Sequence, residues 1–358
     1  MQQKEITHLR EAAAPHIRYS AHNCKCVPGN RAPLRLFGRG KIVKTVRINH
    51  LRAALLAVAA AGLLAAVGLF VVVLYAQPAE ANFPGKPGKI AYAGYDGQDY
   101  EIYTINPNGG GKKQLTDNSL DDREPAYSPS GKKIAYSGKD APDGDYEIYT
   151  INAGGGGKKQ LTDNSLFDTE PAYSPSGKKI AYSGRDAPFP DGDYEIYTIN
   201  AGGGGKKPVT DNSSGDYSPS YSPSGKKIAY SGYDGNDSEI YTINAGGGGK
   251  KPVTDNSSGD EWPDYAPGGK RIAYTNFVTG GDDEIYTIKP DGGGRLNVTD
   301  NTADDYYPSY SPSGKKIAYV YDTAAADAEI YTITPGGGGR QPVTDNANND
   351  RDPYWGSQ

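Results

Sequence analysis

The chain has 358 residues and a formal net charge of −5, and it contains 48 Gly, 26 Pro and 29 Tyr. This abundance of turn formers and strand-forming aromatics predicts an all-β protein after the N-terminal region and argues against a helical bundle. The acidic balance is concentrated after residue 77 and argues against a nucleic-acid partner.

The N-terminal region has two parts with different compositions. Residues 1–52 carry eleven Lys or Arg and two acidic residues, and the run 53–76 carries no charge. As a helix, this run would extend about 36 Å, which is enough to cross a bilayer. We therefore predict a basic cytoplasmic segment (1–52), one transmembrane helix (53–76) and a linker (77–88), with the rest of the chain extracytoplasmic.

A cleaved signal peptide is the alternative for the same region. Ala79-Glu80-Ala81 forms an A-x-A site just after the apolar run, and cleavage near Ala81 would give a secreted or periplasmic protein. A signal-like layout also begins near Val46, so the true start could lie downstream of Met1. The sequence leaves these alternatives open.

The remainder of the chain is built from one repeated unit. PAYSPSGKKIAYSG spans residues 125–138 and recurs without change at 171–184. Each unit has a Pro-x-Tyr segment, a GKKIAY segment, an EIYTI segment, and a glycine run with Lys or Arg that leads to L/V-T-D-N. The Ile of IAY recurs at a period of 44 to 48 residues, at Ile90, Ile134, Ile180, Ile228, Ile272 and Ile317.

This unit predicts four antiparallel strands, because its β-branched and aromatic segments are bounded by Gly, Pro, Asn and Asp. Four strands per period of 40 to 50 residues are typical of a β-propeller. The first unit lacks a Pro-x-Tyr strand, and the chain ends with an additional one at 352–355. We therefore predict a six-bladed propeller over 89–358 that is closed by the C-terminal strand. Its predicted blades are 89–116 plus 352–356, 124–163, 170–211, 217–255, 261–300 and 306–345.

The unit PxYSPSGKKIAYSG…EIYTINAGGGGKKQLTDN resembles the WD40-like repeat of the TolB propeller family. The resemblance covers residues 83–358 and all six units. It implies a TolB-like binding propeller. TolB-type proteins carry an α/β domain before the propeller, whereas this chain has the basic segment and the apolar run in that position.

The predicted propeller has few means of catalysis. All four His and both Cys precede the apolar run, so Ser-His-Asp, Cys-His and typical zinc sites are excluded from the propeller. An enzyme would have to use paired carboxylates, for example, and no such pair is singled out by the sequence. We therefore expect a non-enzymatic protein with no cofactor.

Strand order separates charges between the two faces of the disk. The turns after the first and third strands of each blade are rich in Lys, whereas the loops on the opposite face are rich in Asp. The residue before the first-strand proline varies between units and should surround the acidic mouth of the central channel. These candidate binding residues are Glu124, Glu170, Ser218, Trp262, Tyr307 and Asp352.

A calcium site is a weaker possibility on the acidic face. Asp143, Asp145, Asp191 and Asp193 offer oxygen ligands, although their spacing does not match an EF-hand loop.

The leading hypothesis is a membrane-tethered, monomeric propeller that binds a protein or peptide at its acidic face. The alternative is a carbohydrate-binding or carbohydrate-active envelope protein that uses carboxylates and aromatic rings at the same mouth.

Overall fold

The computed structural model describes residues 87–357, except residues 140, 143, 189–191, 279 and 324–325. Within this part of the chain there are 24 strands in six four-stranded antiparallel sheets, and no helix. The prediction of an all-β, six-bladed propeller is therefore confirmed. The predicted transmembrane helix (53–76) lies outside the described residues, and within them no helix is long and apolar enough to span a membrane.

The first three blades are built from the following strands. Blade 1 contains β1 (Pro87–Tyr95), β2 (Tyr100–Ile105), β3 (Lys113–Gln114) and β24 (Asp350–Ser357). Blade 2 contains β4 (Asp122–Tyr127), β5 (Lys133–Lys139), β6 (Tyr146–Asn152) and β7 (Lys159–Gln160). Blade 3 contains β8 (Asp168–Tyr173), β9 (Lys179–Arg185), β10 (Tyr194–Asn200) and β11 (Lys207–Pro208).

The other three blades repeat the same order. Blade 4 contains β12 (Asp216–Tyr221), β13 (Lys227–Tyr233), β14 (Ser238–Asn244) and β15 (Lys251–Pro252). Blade 5 contains β16 (Gly259–Tyr265), β17 (Ile272–Phe277), β18 (Glu284–Ile288) and β19 (Leu296–Asn297). Blade 6 contains β20 (Asp304–Tyr310), β21 (Ile317–Asp322), β22 (Glu329–Ile333) and β23 (Gln341–Pro342).

The hydrophobic core lies between neighbouring blades. Side chains alternate between the two faces of each strand, so one sheet contributes apolar residues to two interfaces. Between blades 1 and 2, for example, Ala91 and Ile102 pack against Ile134 and Tyr136, all at most 1% exposed. Six such clusters within the described chain hold each blade against the next.

The first cation of each glycine run folds back onto the tyrosines of its own blade. The ammonium of Lys158 lies 4.5 Å from the ring centroid of Tyr149, and blades 1, 3, 4 and 5 repeat this contact with Lys or Arg. In blade 6, Arg340 lies 4.6 Å from the ring centroid of Tyr321 instead. A cation over an aromatic face is attracted by the ring quadrupole. These cations therefore stabilise the blades through contacts with their tyrosines.

The C-terminal strand closes the ring. Strand β24 pairs antiparallel with β1, with Trp355 opposite Ile90 and Asp350 opposite Gly94. Blade 1 is consequently assembled from both ends of the propeller sequence. This pairing leaves β1 with hydrogen-bonded neighbours on both sides.

A hydrogen-bonded link, here called the blade clasp, joins each blade to the next. In the first copy, Glu101 accepts a hydrogen bond from the backbone N–H of Asn118 at 2.5 Å, and the Asn118 side-chain amide donates to Asp122 at 2.9 Å. Asp122 begins β4 of the following blade. The remaining copies are Glu147–Asn164–Asp168, Glu195–Asn212–Asp216, Glu239–Asn256–Asp260, Glu284–Asn301–Asp305 and Glu329–Asn346–Asp350.

Candidate functional site

The six first strands surround a central cavity of about 120 Å³. The structure brings together at its wall all six residues that the sequence singles out, and each is half-buried. We call this set the channel ring. Its members are Glu124, Glu170, Ser218, Trp262, Tyr307 and Asp352.

The backbone at the ring has the same irregularity in every blade. Each ring residue has a φ between 52° and 55°, in the left-handed region that bulky side chains rarely adopt. Each also lies where the pairing of the first strand with the second shifts in register, as between Arg123 and Ala126. A bulge of this kind turns a side chain away from its regular direction. Here it helps to direct six different side chains toward one channel.

Blades 1 to 3 supply the acidic half of the ring. One carboxylate oxygen of Glu124 accepts hydrogen bonds from the Ser137 hydroxyl at 2.6 Å and from the backbone N–H of Glu170 at 2.8 Å. Glu170 repeats this arrangement with the Ser218 backbone at 2.7 Å, and Asp352 accepts from the Glu124 backbone at 3.3 Å. Each carboxylate therefore bridges to the next blade.

Blades 5 and 6 supply the aromatic half. The ring centroids of Trp262 and Tyr307 lie 3.9 Å apart, and Phe277 and Tyr306 pack beside Trp262 at 5.3 and 6.2 Å. The Trp262 backbone donates to the Ser231 hydroxyl at 3.1 Å, without an intervening carboxylate. The link between blades thus persists when the ring residue of the preceding blade, Ser218, is not acidic.

The two halves influence each other electrostatically. Burial first, and then the carboxylates of Glu170 and Asp352, raise the pKa of Glu124 to about 8. Burial also raises the pKa of Asp352 to about 6, against the opposing effect of Arg123. The pKa of Tyr307 is raised by burial first and then by these three carboxylates, so the phenol stands within their field. A cation entering the channel would relieve this repulsion and could contact the aromatic rings.

A second layer of the channel contains a residue that the sequence analysis missed. Asp264 is 8% exposed, lines the same cavity and accepts a hydrogen bond from the Tyr310 backbone at 2.7 Å. The equivalent position in the other units holds Ala126, Ala172, Ser220, Ser309 and Tyr354. Asp264 is the one charged residue among the six copies of this position, and this difference in the sequence could have identified it as a candidate.

The structure gives partial information on the predicted calcium ligands. Asp143 and Asp191 lie outside the described residues. Asp193 is described, and its backbone N–H donates to Asp186 at 3.1 Å. Among the described residues, a different group of acidic side chains lies close enough together to hold a metal ion. It is on blade 1 and consists of Asp96, Asp99 and Glu101.

The family model for the TolB β-propeller domain matches residues 81–214 and 186–358. TolB from Acinetobacter baumannii is similar in structure, with a TM-score of 0.65, 22% identity, and coverage of 76% of this chain and 67% of that one. The TolB-type protein of Agrobacterium tumefaciens gives a TM-score of 0.61 at 21% identity, covering 74% and 91% of the two chains. Hydrazine synthase from Kuenenia stuttgartiensis gives 0.66 at 18% identity, covering 76% and 47%.

At these identities the structural matches show the fold alone. No curated protein matches the sequence significantly. The family assignment comes from the family model, which covers nearly the whole repeated region. The chain therefore belongs to the TolB β-propeller domain family.

Proposed function

We propose that this protein is a non-enzymatic, extracytoplasmic binding propeller that captures a basic segment of a protein or peptide in its central channel. The observation that carries the proposal is the division of the channel ring, with carboxylates from blades 1 to 3 and the Trp262–Tyr307 pair from blades 5 and 6. A Lys or Arg side chain would satisfy the carboxylates with its charge and the rings with its cation–π contact. Membership of the TolB propeller family supports a binding role.

Several features favour binding over catalysis at this site. Glu124 and Glu170 accept hydrogen bonds from neighbouring backbone N–H groups, which hold them as part of the wall. The described propeller sequence contains neither His nor Cys, so a nucleophile–base pair of the usual kind is not available. The channel instead offers shape, negative charge and aromatic surface.

We further propose that the apolar run 53–76 tethers the propeller to the cell membrane. Its 24 uncharged residues and the basic segment before it support this proposal. Cleavage near Ala81 would instead release a secreted or periplasmic form. N-terminal sequencing of the native protein distinguishes the two, because a mature N-terminus at Asn82 would contradict the tether.

The binding proposal is tested with the full-length chain and a library of short peptides that differ in Lys and Arg content. We expect basic peptides to bind, and we expect Glu124→Gln with Glu170→Gln to weaken binding at least tenfold. Asp211→Asn is the matched control, since it removes a negative charge from an exposed loop residue outside the channel. Equal weakening in the control, or no preference for basic peptides, would contradict the proposal.

Carbohydrate binding is the second candidate, because Trp262 and Tyr307 also present the flat apolar surface on which sugar rings stack. An array of neutral and acidic oligosaccharides separates the two candidates. Binding to sugars that survives Glu124→Gln with Glu170→Gln but is lost in Trp262→Ala would favour the carbohydrate reading over the basic peptide.

A further inference from the structure

A second acidic cluster lies outside the residues that line the channel, at the turn between β1 and β2. Asp96, Asp99 and Glu101 each place a carboxylate oxygen within 4.8 Å of the others. Asp99 is 8% exposed and Glu101 is fully buried, whereas Asp96 is exposed at the edge of the turn. Three carboxylates at this distance repel one another strongly unless a proton or a cation lies between them.

Asp99 provides an independent reason to expect a ligand. Both of its carboxylate oxygens are buried, and neither has a hydrogen-bond partner among the described residues. Leaving a buried carboxylate without donors is unfavourable, because the group has lost water and gained nothing in exchange. Its two neighbours in the cluster are themselves carboxyl groups that accept backbone hydrogen bonds, so the cluster offers Asp99 no amide or basic donor.

The other two members are held in place by the backbone. Asp96 accepts hydrogen bonds from the backbone N–H groups of Gln98 at 2.8 Å and of Asp99 at 3.3 Å. Glu101 accepts from the backbone N–H of Asn118 at 2.5 Å as part of the first blade clasp. The three carboxylates are therefore positioned on a hairpin and a strand rather than on long flexible side chains.

Nearby basic groups do not neutralise the cluster. The ion pairs Arg123–Asp121 and Lys206–Asp168 involve other carboxylates. The pKa of Asp99 is raised by burial first, and then by Asp96, Asp121 and Asp117. The surroundings thus add negative charge to the site.

Blade 4 contains a close sequence match that does not form the same site. Asp96-Gly97-Gln98-Asp99 corresponds to Asp234-Gly235-Asn236-Asp237, and both turns hold their first Asp by the same backbone hydrogen bonds. Asp237 is only half-buried, and among the described residues the carboxylates around it do not approach one another as closely as those of the blade 1 cluster. Tyr100, which packs against Tyr95 at 5.4 Å, is replaced by Ser238 in blade 4.

We propose that Asp96, Asp99 and Glu101 bind one calcium ion. The ligand set consists of carboxylate oxygens, which hard cations prefer, and it lacks the N and S ligands typical of zinc. Two oxygens on opposite sides of a calcium ion, each at about 2.4 Å, lie about 4.8 Å apart, so the cluster spans no more than one such ion. Magnesium requires shorter bonds of about 2.1 Å and a near-ideal octahedron.

The direct test is calorimetric titration of the full-length chain with CaCl₂ at neutral pH. We expect one calcium ion per chain, with a Kd between about 10⁻⁴ and 10⁻³ M, as in other extracellular calcium modules. Calcium should raise the melting temperature in a concentration-dependent manner, and EDTA should reverse the increase. MgCl₂ at equal concentration should give a smaller increase.

Two variants assign the binding to this cluster. Asp99→Asn should weaken calcium binding at least tenfold, and Asp237→Asn, its counterpart in blade 4, should leave the affinity unchanged. If Asp99→Asn does not fold, Asp96→Asn serves in its place, because Asp96 is exposed. Absence of calcium binding to the wild-type chain, or an equal loss in Asp237→Asn, overturns the proposal and leaves a protonated Asp99 as the explanation of the buried cluster.

Discussion

The blade clasp and the channel ring are both repeated six times, yet they vary in opposite ways. The clasp uses the same Glu, Asn and Asp in every described copy, and each time the Asn side-chain amide donates to the Asp carboxylate. The ring repeats its backbone, with the same positive φ and the same bulge, while its side chains range from carboxylate to indole. The six copies of the clasp therefore share their side chains, whereas the six copies of the ring share only their backbone conformation.

The difference separates structural acids from candidate binding acids. Carboxylates occur in both sets, and burial raises the pKa of Glu101 in the clasp and of Glu124 in the ring, so a raised pKa does not distinguish the two sets. Each clasp acid accepts a hydrogen bond from the Asn of its own copy: the Glu from the backbone N–H and the Asp from the side-chain amide. The ring acids lie on one side of a cavity and face aromatic residues on the other.

Deleting residues 350–358 should have the largest effect. The deletion removes β24, and with it Asp350 of the last clasp and Asp352 of the ring, so blade 1 loses the strand that closes the propeller. We expect the deletion variant to be unfolded already at 37 °C, so that a thermal scan by circular dichroism from that temperature shows no cooperative transition. Asp352→Asn in the full-length chain is the control and should remain folded. A deletion variant that melts at the wild-type temperature would show that closure is dispensable.

Breaking a single clasp should have the next largest effect, and the effect should be similar in different blades. Asn164→Ala removes the side-chain donor that connects Glu147 to Asp168, so the buried Asp168 loses its hydrogen bond from Asn164, whereas Glu147 keeps the one from the backbone N–H of residue 164. We expect a loss of about 2 kcal/mol in the free energy of unfolding, measured in urea. Asn212→Ala, in the clasp between blades 3 and 4, should give the same loss within about 0.5 kcal/mol, because its bond to Asp216 has the same length. Clearly unequal losses would mean that the clasps are not equivalent.

Lowering the pH should stabilise the propeller, chiefly through the clasps. Burial raises the pKa of Glu101, Glu147, Glu195 and Glu239 to about 7. Their unfolded value is 4.5, so between these two values the folded state binds more protons than the unfolded state. The urea midpoint should therefore rise as the pH is lowered from about 8 to about 5. Glu124→Gln with Asp352→Asn should retain most of this dependence, and a midpoint that rises with pH would contradict it.

A substitution confined to the ring should change stability least. In Trp262→Glu, blade 5 acquires the residue that blades 2 and 3 carry at this position, and the backbone donor to Ser231 is kept. We expect a change of at most about 1 kcal/mol in the free energy of unfolding, because only the aromatic contacts are lost. A loss as large as that of Asn164→Ala would place Trp262 among the structural residues.

Much of the fold could be predicted because the repeat exposes its own architecture. One strand pattern written six times, with the first strand of blade 1 displaced to the end of the sequence, predicts both the blade number and the closure. The ring residues could be found because they differ among the six units, whereas the Pro125 position is always proline and the Tyr127 position is always aromatic. Variation within a repeat pointed to the cavity wall.

Other features depend on packing that a single sequence does not reveal. A residue before proline normally adopts an extended conformation, so nothing in the Glu124-Pro125 pair indicated a left-handed φ. The burial of Asp99 could not be inferred either, because Asp237 occupies a nearly identical turn and remains half-buried. The position of Lys158 over its tyrosines likewise became visible only once the strands were placed side by side.

The pairing of β1 with β24 also bears on how the molecule reaches its folded state. The other strand pairs join strands that are consecutive in the sequence, so they can form as soon as each unit has been synthesised. The pair of β1 and β24 instead joins the first and last strands of the propeller. Contacts so distant in sequence carry the greatest loop-closure entropy and tend to form slowly. Until β24 arrives, β1 has an unpaired edge on which a strand of another chain could dock. The interval between synthesis of β1 and synthesis of β24 is therefore the period in which the nascent propeller is most exposed to misassembly.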